Sequence, residues 1–302
     1  MGGYLYFTLQ QKEQGLQKVL VLLRQNLSFN HFLELGLVIL LTPLNWTCEA
    51  LKWQTLAQKI EVVSFPKALG GVLMGLTMGF FLPNNVGDAA GRVWSLGRLS
   101  RNAGVGAALL SNGLQFYVSL LFGTLAWAVL LSQQVDLQTV FNQILLLLLS
   151  ATLLLGIWLL LKRQSAERYL VRFGWFRWLE LYVRVIATYT PCELRQAFGW
   201  AVLRYAIFSL QFWLLLQLFG ISLPFFEALT GIFLVFFAKT LIPALNFLGD
   251  LGIREASSLY FFGFFAVEPA RIVATTLTLW LVNIFIPVVV GFLWLMRRRM
   301  KK

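Results

Sequence analysis

Histidine occurs once in the 302-residue chain, at His31, and cysteine only at Cys48 and Cys192. A single histidine excludes a His-rich metal or proton-relay site. Two isolated cysteines offer neither zinc-ligand spacing nor a disulfide framework. Charge is scarce as well: 13% of residues are charged, and Asp plus Glu number 13. A soluble domain carries about 25% charged residues, so this chain has too little polar surface to cover a globule in water. The N-terminus lacks a signal-peptide pattern, because Gln10, Gln11, Lys12, Glu13 and Lys18 interrupt it. Insertion is therefore expected to rely on internal spans. No strand-period alternation runs long enough for a barrel.

What is present is apolar. Hydrophobic residues make up 59% of the chain, mean hydropathy is +0.74, and there are 27 Phe and 11 Trp. This is the composition of an all-α, polytopic integral membrane protein. Lys and Arg number 25, giving a formal net charge of +12. They flank apolar runs, so anionic lipid headgroups are expected as partners rather than nucleic acid. No cofactor is expected; an oligomer is possible.

A span needs about 20 mostly apolar residues. Residues 32–51, 107–131, 140–161, 198–220 and 272–296 qualify. Residues 68–82, 225–242 and 256–267 are shorter and interrupted, the pattern of broken or re-entrant helices. About eight membrane segments result, in one transmembrane domain of two halves, 32–161 and 198–302. Residues 102–161 contain no Lys or Arg, so the turn near 132–136 should face outside. The basic stretch 162–204 and the tail Arg297, Arg298, Arg299, Lys301 and Lys302 should be cytoplasmic. Counting back puts the N-terminus inside too, which strands Lys52, Lys59 and Lys67 outside unless residues 32–82 are re-entrant. Within 163–197, Trp175, Trp178 and Tyr182 alternate with Arg172, Arg177 and Arg184, the spacing of an interfacial amphipathic helix. Pro191 opens the next helix. Trp46, Trp53 and Trp200 read as interfacial anchors.

Ionisable groups at membrane depth are functional candidates, and three clusters carry them. In NWTCEALKW, Asn45, Glu49 and Lys52 fall at i, i+4 and i+7, on one helical face. A helix end with Lys52 snorkelling to the headgroups accounts for the same residues. The second cluster is PNNVGDAAGR at 83–92, and the third is PALNFLGDLGIRE at 243–255, after Lys239. Each has Pro, then Gly-Asp, then Arg four residues beyond: Asp88/Arg92 and Asp250/Arg254. Such pairs face each other on a helix and neutralise at depth. The recurrence 162 residues apart (250 − 88) indicates an internal two-fold repeat with a broken helix in each half.

The segments FLPNNVGDAAGR and LGDLGIREASSL resemble the paired motifs of the lysylphosphatidylglycerol synthase/flippase transmembrane family. Glu49, Lys52 and Trp53 are similar to that family's Arg/Lys-Trp helix ending. By position, Asp88 and Arg92 match the first motif, and Gly252, Arg254 and Glu255 the second; Asp250 stands where the family has glycine. The resemblance implies an all-helical fold in a bacterial inner membrane that moves lipids between leaflets. With no aminoacyltransferase domain of the bifunctional members read within the 302 residues, lipid aminoacylation is not expected. The expected function is a flippase for a phospholipid or lipid-linked anionic headgroup. In it Arg92 and Arg254 share one cavity and bind phosphate, with Lys52, Lys239 or Arg204 assisting. Asp88, Glu255, Glu49 and Asp250 hold those cations. A membrane transferase or an assembly factor for lipid-linked envelope precursors is the alternative.

Overall fold

The computed structural model describes residues 15–26, 32–81, 86–133, 139–165, 177–241 and 251–299. Twelve α-helices and no strands occur among them. In chain order they are α1 (Gly15–Asn26), α2 (Phe32–Ala57), α3 (Phe65–Phe81), α4 (Val86–Trp94), α5 (Arg101–Gln133), α6 (Val140–Leu161), α7 (Arg177–Ala187), α8 (Pro191–Leu218), α9 (Phe225–Leu241), α10 (Ile253–Gly263), α11 (Pro269–Trp280) and α12 (Ile286–Arg299). A π turn, Leu281–Phe285, joins the last two. Among the described residues four stretches are long and apolar enough to cross a membrane: Arg98–Gln133, Val140–Leu161, Pro191–Leu218 and Pro269–Trp294. In α6 only Leu149 is buried. A helix this apolar with nearly every side chain outward suits hydrocarbon, not water.

Two helical hairpins give the fold its repeat. α3 packs along α4, and α9 packs along α10. Both first arms have 17 residues, about 25 Å of helix and short of a bilayer crossing. Glycine closes the first hairpin. A Cβ on Gly91 would run into the backbone of Gly75 and Met74, and one on Gly87 into Met78 and Gly79. The spacing of Gly71, Gly75 and Gly79 lays a small-residue stripe along α3 on which α4 sits. In the second hairpin Gly252, at φ +93°, adopts a turn that L side chains resist, and the Glu255 carboxylate accepts the Gly252 N–H at 2.5 Å. α2 and α8 pair across the middle of the molecule. Each hairpin is then buttressed by a long helix from the other half, α12 against α3 and α5 against α9.

Side-chain ties fix the direction of the helices. Tyr189, just before α8, donates to the Leu56 carbonyl at the end of α2 (2.7 Å), and Lys59 pairs with Glu193 of α8 at 3.1 Å. α2 and α8 are therefore antiparallel. The Gly97 N–H, after α4, reaches Glu61 in the α2–α3 loop, and Arg163 donates to the Tyr189 carbonyl, both at 2.9 Å. Lys59, Lys67, Arg98, Arg101, Lys162, Arg163 and Arg195 thus gather at one end. Burial alone would raise the Glu61 carboxyl, but hydrogen bonds from Lys67, Ser100 and Gly97 outweigh it and hold the group below its ordinary value. At the opposite end Arg271 donates to the Phe219 and Gly220 carbonyls, and Lys18 of α1 pairs with Glu268. The Lys18 hydrogen bond is the chief reason the Glu268 carboxyl titrates low; Arg271 adds to it against partial burial.

One expectation is overturned by these ties. The first hairpin turns back instead of crossing, so the end of α2 and the start of α5 share a side. α1 therefore packs at the end opposite the basic groups, while α12 runs toward them, with Trp294 over Gly70 at the start of α3. The two terminal helices do not share a side as counting spans had suggested. The same turn removes the difficulty with Lys59 and Lys67, which join the other basic residues.

α8 begins where Pro191 predicts. Thr190 caps it by accepting the Glu193 N–H, Glu193 accepts the Thr190 N–H in return, and Pro191 fills the first turn. α7 covers the latter part of the amphipathic segment and packs on α5. Trp175 lies outside the described residues, as does most of the turn at 132–136.

Candidate functional site

α2 does not end at its charged motif. It continues to Ala57, which buries Asn45, Glu49 and Lys52 at 1%, 1% and 0% exposure. Lys52 is not snorkelling. Its Nζ lies 2.9 Å from Glu49 Oε2 and donates to Gln115 of α5 at 3.3 Å. Trp46 and Trp53 are also buried, at 7% and 0%, and are not interfacial anchors. Their indole faces lie beneath arginines: Arg204 over Trp46 at 5.1 Å and Arg92 over Trp53 at 5.9 Å.

Glu49 is the hub of an ion network drawn from three helices. Oε1 contacts Arg92 Nη1 of α4 at 2.7 Å. Oε2 contacts Lys52 and, at 3.1 Å, Arg204 Nη1 of α8, close in distance though off the hydrogen-bonding direction. Arg92 is saturated. Its Nε and Nη2 both donate to Asp88, at distances down to 2.9 Å, and Nη1 also donates to Ser111 of α5 at 3.1 Å. Asn112 completes Asp88 by donating to Oδ2 at 3.0 Å. The Asp88–Arg92 pair sits one turn apart on α4, as its i, i+4 spacing requires. Without these partners each buried charge would cost several kcal/mol.

Proline sets the ring under Arg204. Pro287 has no N–H to give to the carbonyl four residues earlier, that of Asn283. In the π turn that carbonyl accepts the Trp46 indole N–H at 3.2 Å, and the Asn283 side chain accepts from Asn45 at 3.0 Å. A π turn in a long helix often marks a functional site. Here it joins the α11–α12 rod to the charged face of α2.

Beside the network lies a cavity of about 380 Å³. Glu49, Lys52, Asp88, Arg92, Arg204 and Lys239 provide its charges, and Asn112, Gln115 and Ser119 of α5 its neutral polar wall. Gly75, Gly79, Phe80, Phe208 and Phe236 supply apolar surface. Lys239 enters from the end of α9, 5.8 Å over the Phe208 ring. The cavity thus touches both hairpins. Arg204 stands about 20 Å along α8 at 1.5 Å per residue, so the site lies near the middle of that candidate span. Four cations face two carboxylates among the described lining residues, which makes the cavity an attractor for anions.

A family model described as the lysylphosphatidylglycerol synthase TM region matches residues 15–291. The chain belongs to this family. No curated protein and no solved structure matches it. Membership makes it a polytopic membrane protein of a lipid-related family.

The two motifs that resemble those of the lysylphosphatidylglycerol synthase TM family have different surroundings. Asp88 and Arg92 line the cavity. Arg254 and Glu255 are buried at 0% and 1% in the first turn of α10 and are not among the residues lining it. The expected sharing of one cavity by Arg92 and Arg254 is not seen among the residues that line this one. Glu255 turns back onto its own helix N-terminus, accepting the Gly252 N–H, and Arg254 is buried in the same turn of α10. Asp250 lies outside the described residues. Sequence reading missed Ser111, Asn112 and Gln115, although three polar side chains inside a stretch free of Lys and Arg were a usable signal. It also missed Asn283, which only the position of Pro287 could have indicated.

Proposed function

We propose that this protein is a flippase: it carries a phospholipid or lipid-linked anionic headgroup between leaflets through the cavity between its hairpins. The observation that carries this reading is a cation-rich, partly apolar cavity near the middle of a candidate span, walled by helices from both halves of a repeat. Moving a phosphate through hydrocarbon faces the cost of burying a bare charge. Preplaced guanidinium and ammonium groups replace its water, and the apolar flank leaves a path for acyl chains. Inverted halves with a broken helix each are the architecture in which such a site is reached alternately from two sides. The setting is a bacterial cytoplasmic membrane, with the basic end of the molecule cytoplasmic. Arg254, Glu255 and Asp250 serve the second hairpin, whose movement against the first alternates access.

Transfer chemistry is the second reading, but the two carboxylates among the described lining residues, Glu49 and Asp88, are occupied by cations and neither is available as a general base. The test is reconstitution into vesicles with a fluorescent phosphatidylglycerol and a membrane-impermeant quencher. Quenching beyond the outer-leaflet fraction, with lipid mass unchanged by mass spectrometry, is the expected result. A new lipid mass would favour the transferase, and a flat trace would remove the flippase.

A further inference from the structure

The cations of the cavity are not equivalent, and the difference narrows its ligand. All three nitrogens of Arg92 are engaged by Asp88, Glu49 and Ser111. The Lys52 side chain is 1% exposed and held between Glu49 and Gln115. Arg204 differs. It is the most exposed of Glu49's three cations, at 20% against 4% for Arg92. It spends one contact on Glu49, and its Nε has no hydrogen-bond partner. Its guanidinium carbon lies 5.1 Å over the ring of Trp46, which the π-turn carbonyl of Asn283 fixes in turn. A planar guanidinium that lines the cavity, part-exposed and with one N–H that no protein group accepts, suits a phosphate oxygen pair. The carboxylates have the opposite character. Glu49 has Arg92 on one oxygen and Lys52 with Arg204 on the other. Asp88 has Arg92 and Asn112. Among the described lining residues no carboxylate remains to receive an ammonium group.

We propose that Arg204 is the phosphate ligand of the cavity, and that the cavity selects a net-anionic phosphodiester headgroup and rejects one esterified with a basic amino acid. The proposal rests on the flippase reading for its setting and concerns which headgroup enters. An aminoacylated headgroup would bring its ammonium groups beside Lys52, Arg92 and Lys239 with no free carboxylate among the described lining residues, in a medium where like charges repel strongly. The role of the family motif changes accordingly. Arg92 is a fixed cation that shapes the field of the cavity, and Arg204, outside both motifs, makes the contact.

The experiment is equilibrium binding of two water-soluble short-chain lipids to the 302-residue chain in phosphatidylcholine nanodiscs. The probes are dihexanoyl phosphatidylglycerol and its lysine ester. Phosphatidylglycerol is expected to bind wild type at least tenfold more tightly than the lysine ester, a comparison that needs no variant. Arg204→Gln should weaken phosphatidylglycerol binding about tenfold to a hundredfold, the range for a charged hydrogen bond. Arg204→Lys, which keeps the Glu49 pair but loses the fork, should fall between. Equal binding of the two probes to wild type overturns the selectivity, and wild-type affinity in folded Arg204→Lys and Arg204→Gln overturns the ligand assignment. Binding as described without vesicle translocation refutes the flippase reading and leaves this one standing. Translocation of phosphatidylglycerol that ignores Arg204→Gln does the reverse.

Discussion

Replacing Glu49 by Gln removes one negative charge and leaves three cations facing one another at 1–20% exposure. The side chain keeps its shape, so packing is unchanged and the effect is electrostatic. Breaking one buried ion pair by deleting a partner costs about 3–5 kcal/mol. The network loses three contacts at 2.7–3.1 Å at once. They share one carboxylate and are not additive, so about 3–5 kcal/mol is the figure for the whole change. At roughly 2 °C per kcal/mol for a chain of this size, Glu49→Gln should lower the midpoint of thermal unfolding by about 6–10 °C. Size-exclusion-monitored thermal aggregation in detergent measures it. The double variant Glu49→Gln/Lys52→Gln removes one of the stranded cations and should recover part of the loss, a coupling of about 1–2 kcal/mol. A shift below 2 °C, together with strict additivity in the cycle, would show that Glu49 is not the hub and that the three cations are neutralised by other means.

Gly91→Ala should abolish most folded protein, since its methyl group would strike the Gly75 backbone, whereas Gly113→Ala, with open space around it, should be neutral or stabilising by up to about 1 kcal/mol; fluorescence size exclusion separates the two. Sidedness follows from the returning hairpin: in a Cys192→Ser background, cysteines at Val62 and Arg184 should react with impermeant maleimide from one side and a cysteine at Ser132 from the other. Val62, 94% exposed in the α2–α3 loop, reacting together with Ser132 would refute a re-entrant α3–α4. The Glu268 carboxyl is held below its ordinary value, so the docking of α1 through Lys18 is fully present above pH 4.5 and is lost as pH falls through the lowered value. Hydrogen exchange of α1 at pH 7 and pH 3 should show protection at the first and loss at the second, while equal protection would remove Glu268 as its tether.

Much of the fold was legible because hydrocarbon leaves the chain few choices. Long apolar runs with so little charge become helices, and the repeated Gly-Asp-x-x-x-Arg setting located both hairpins. Asn45, Glu49 and Lys52 were readable as one face from spacing alone. Crossing parity was not legible. Residues 68–82 read as short and interrupted, which left crossing and turning back both open, and only the packing of α4 on the α3 glycine stripe shows that they turn back. The rank order of the cations was hidden for a similar reason. Arg92 stands in a motif and Arg204 does not, yet saturation by Asp88 and Ser111, and the orienting of Arg204 by Trp46, depend on helices far apart in sequence. Trp46 and Trp53 were misread because a tryptophan's amphipathic ring suits a headgroup layer and a cation platform equally well.

In the proposed function a lipid phosphate occupies the cavity between the hairpins at mid-membrane. Its most direct test is a structure of the protein in nanodiscs containing phosphatidylglycerol. The account predicts tetrahedral density within hydrogen-bond distance of the Arg204 guanidinium, with the lipid's chains leaving along the apolar flank of Phe80, Phe208 and Phe236. A cavity closed by its own side chains, or occupied by an acyl chain while the phosphates remain in the two headgroup layers, would contradict it.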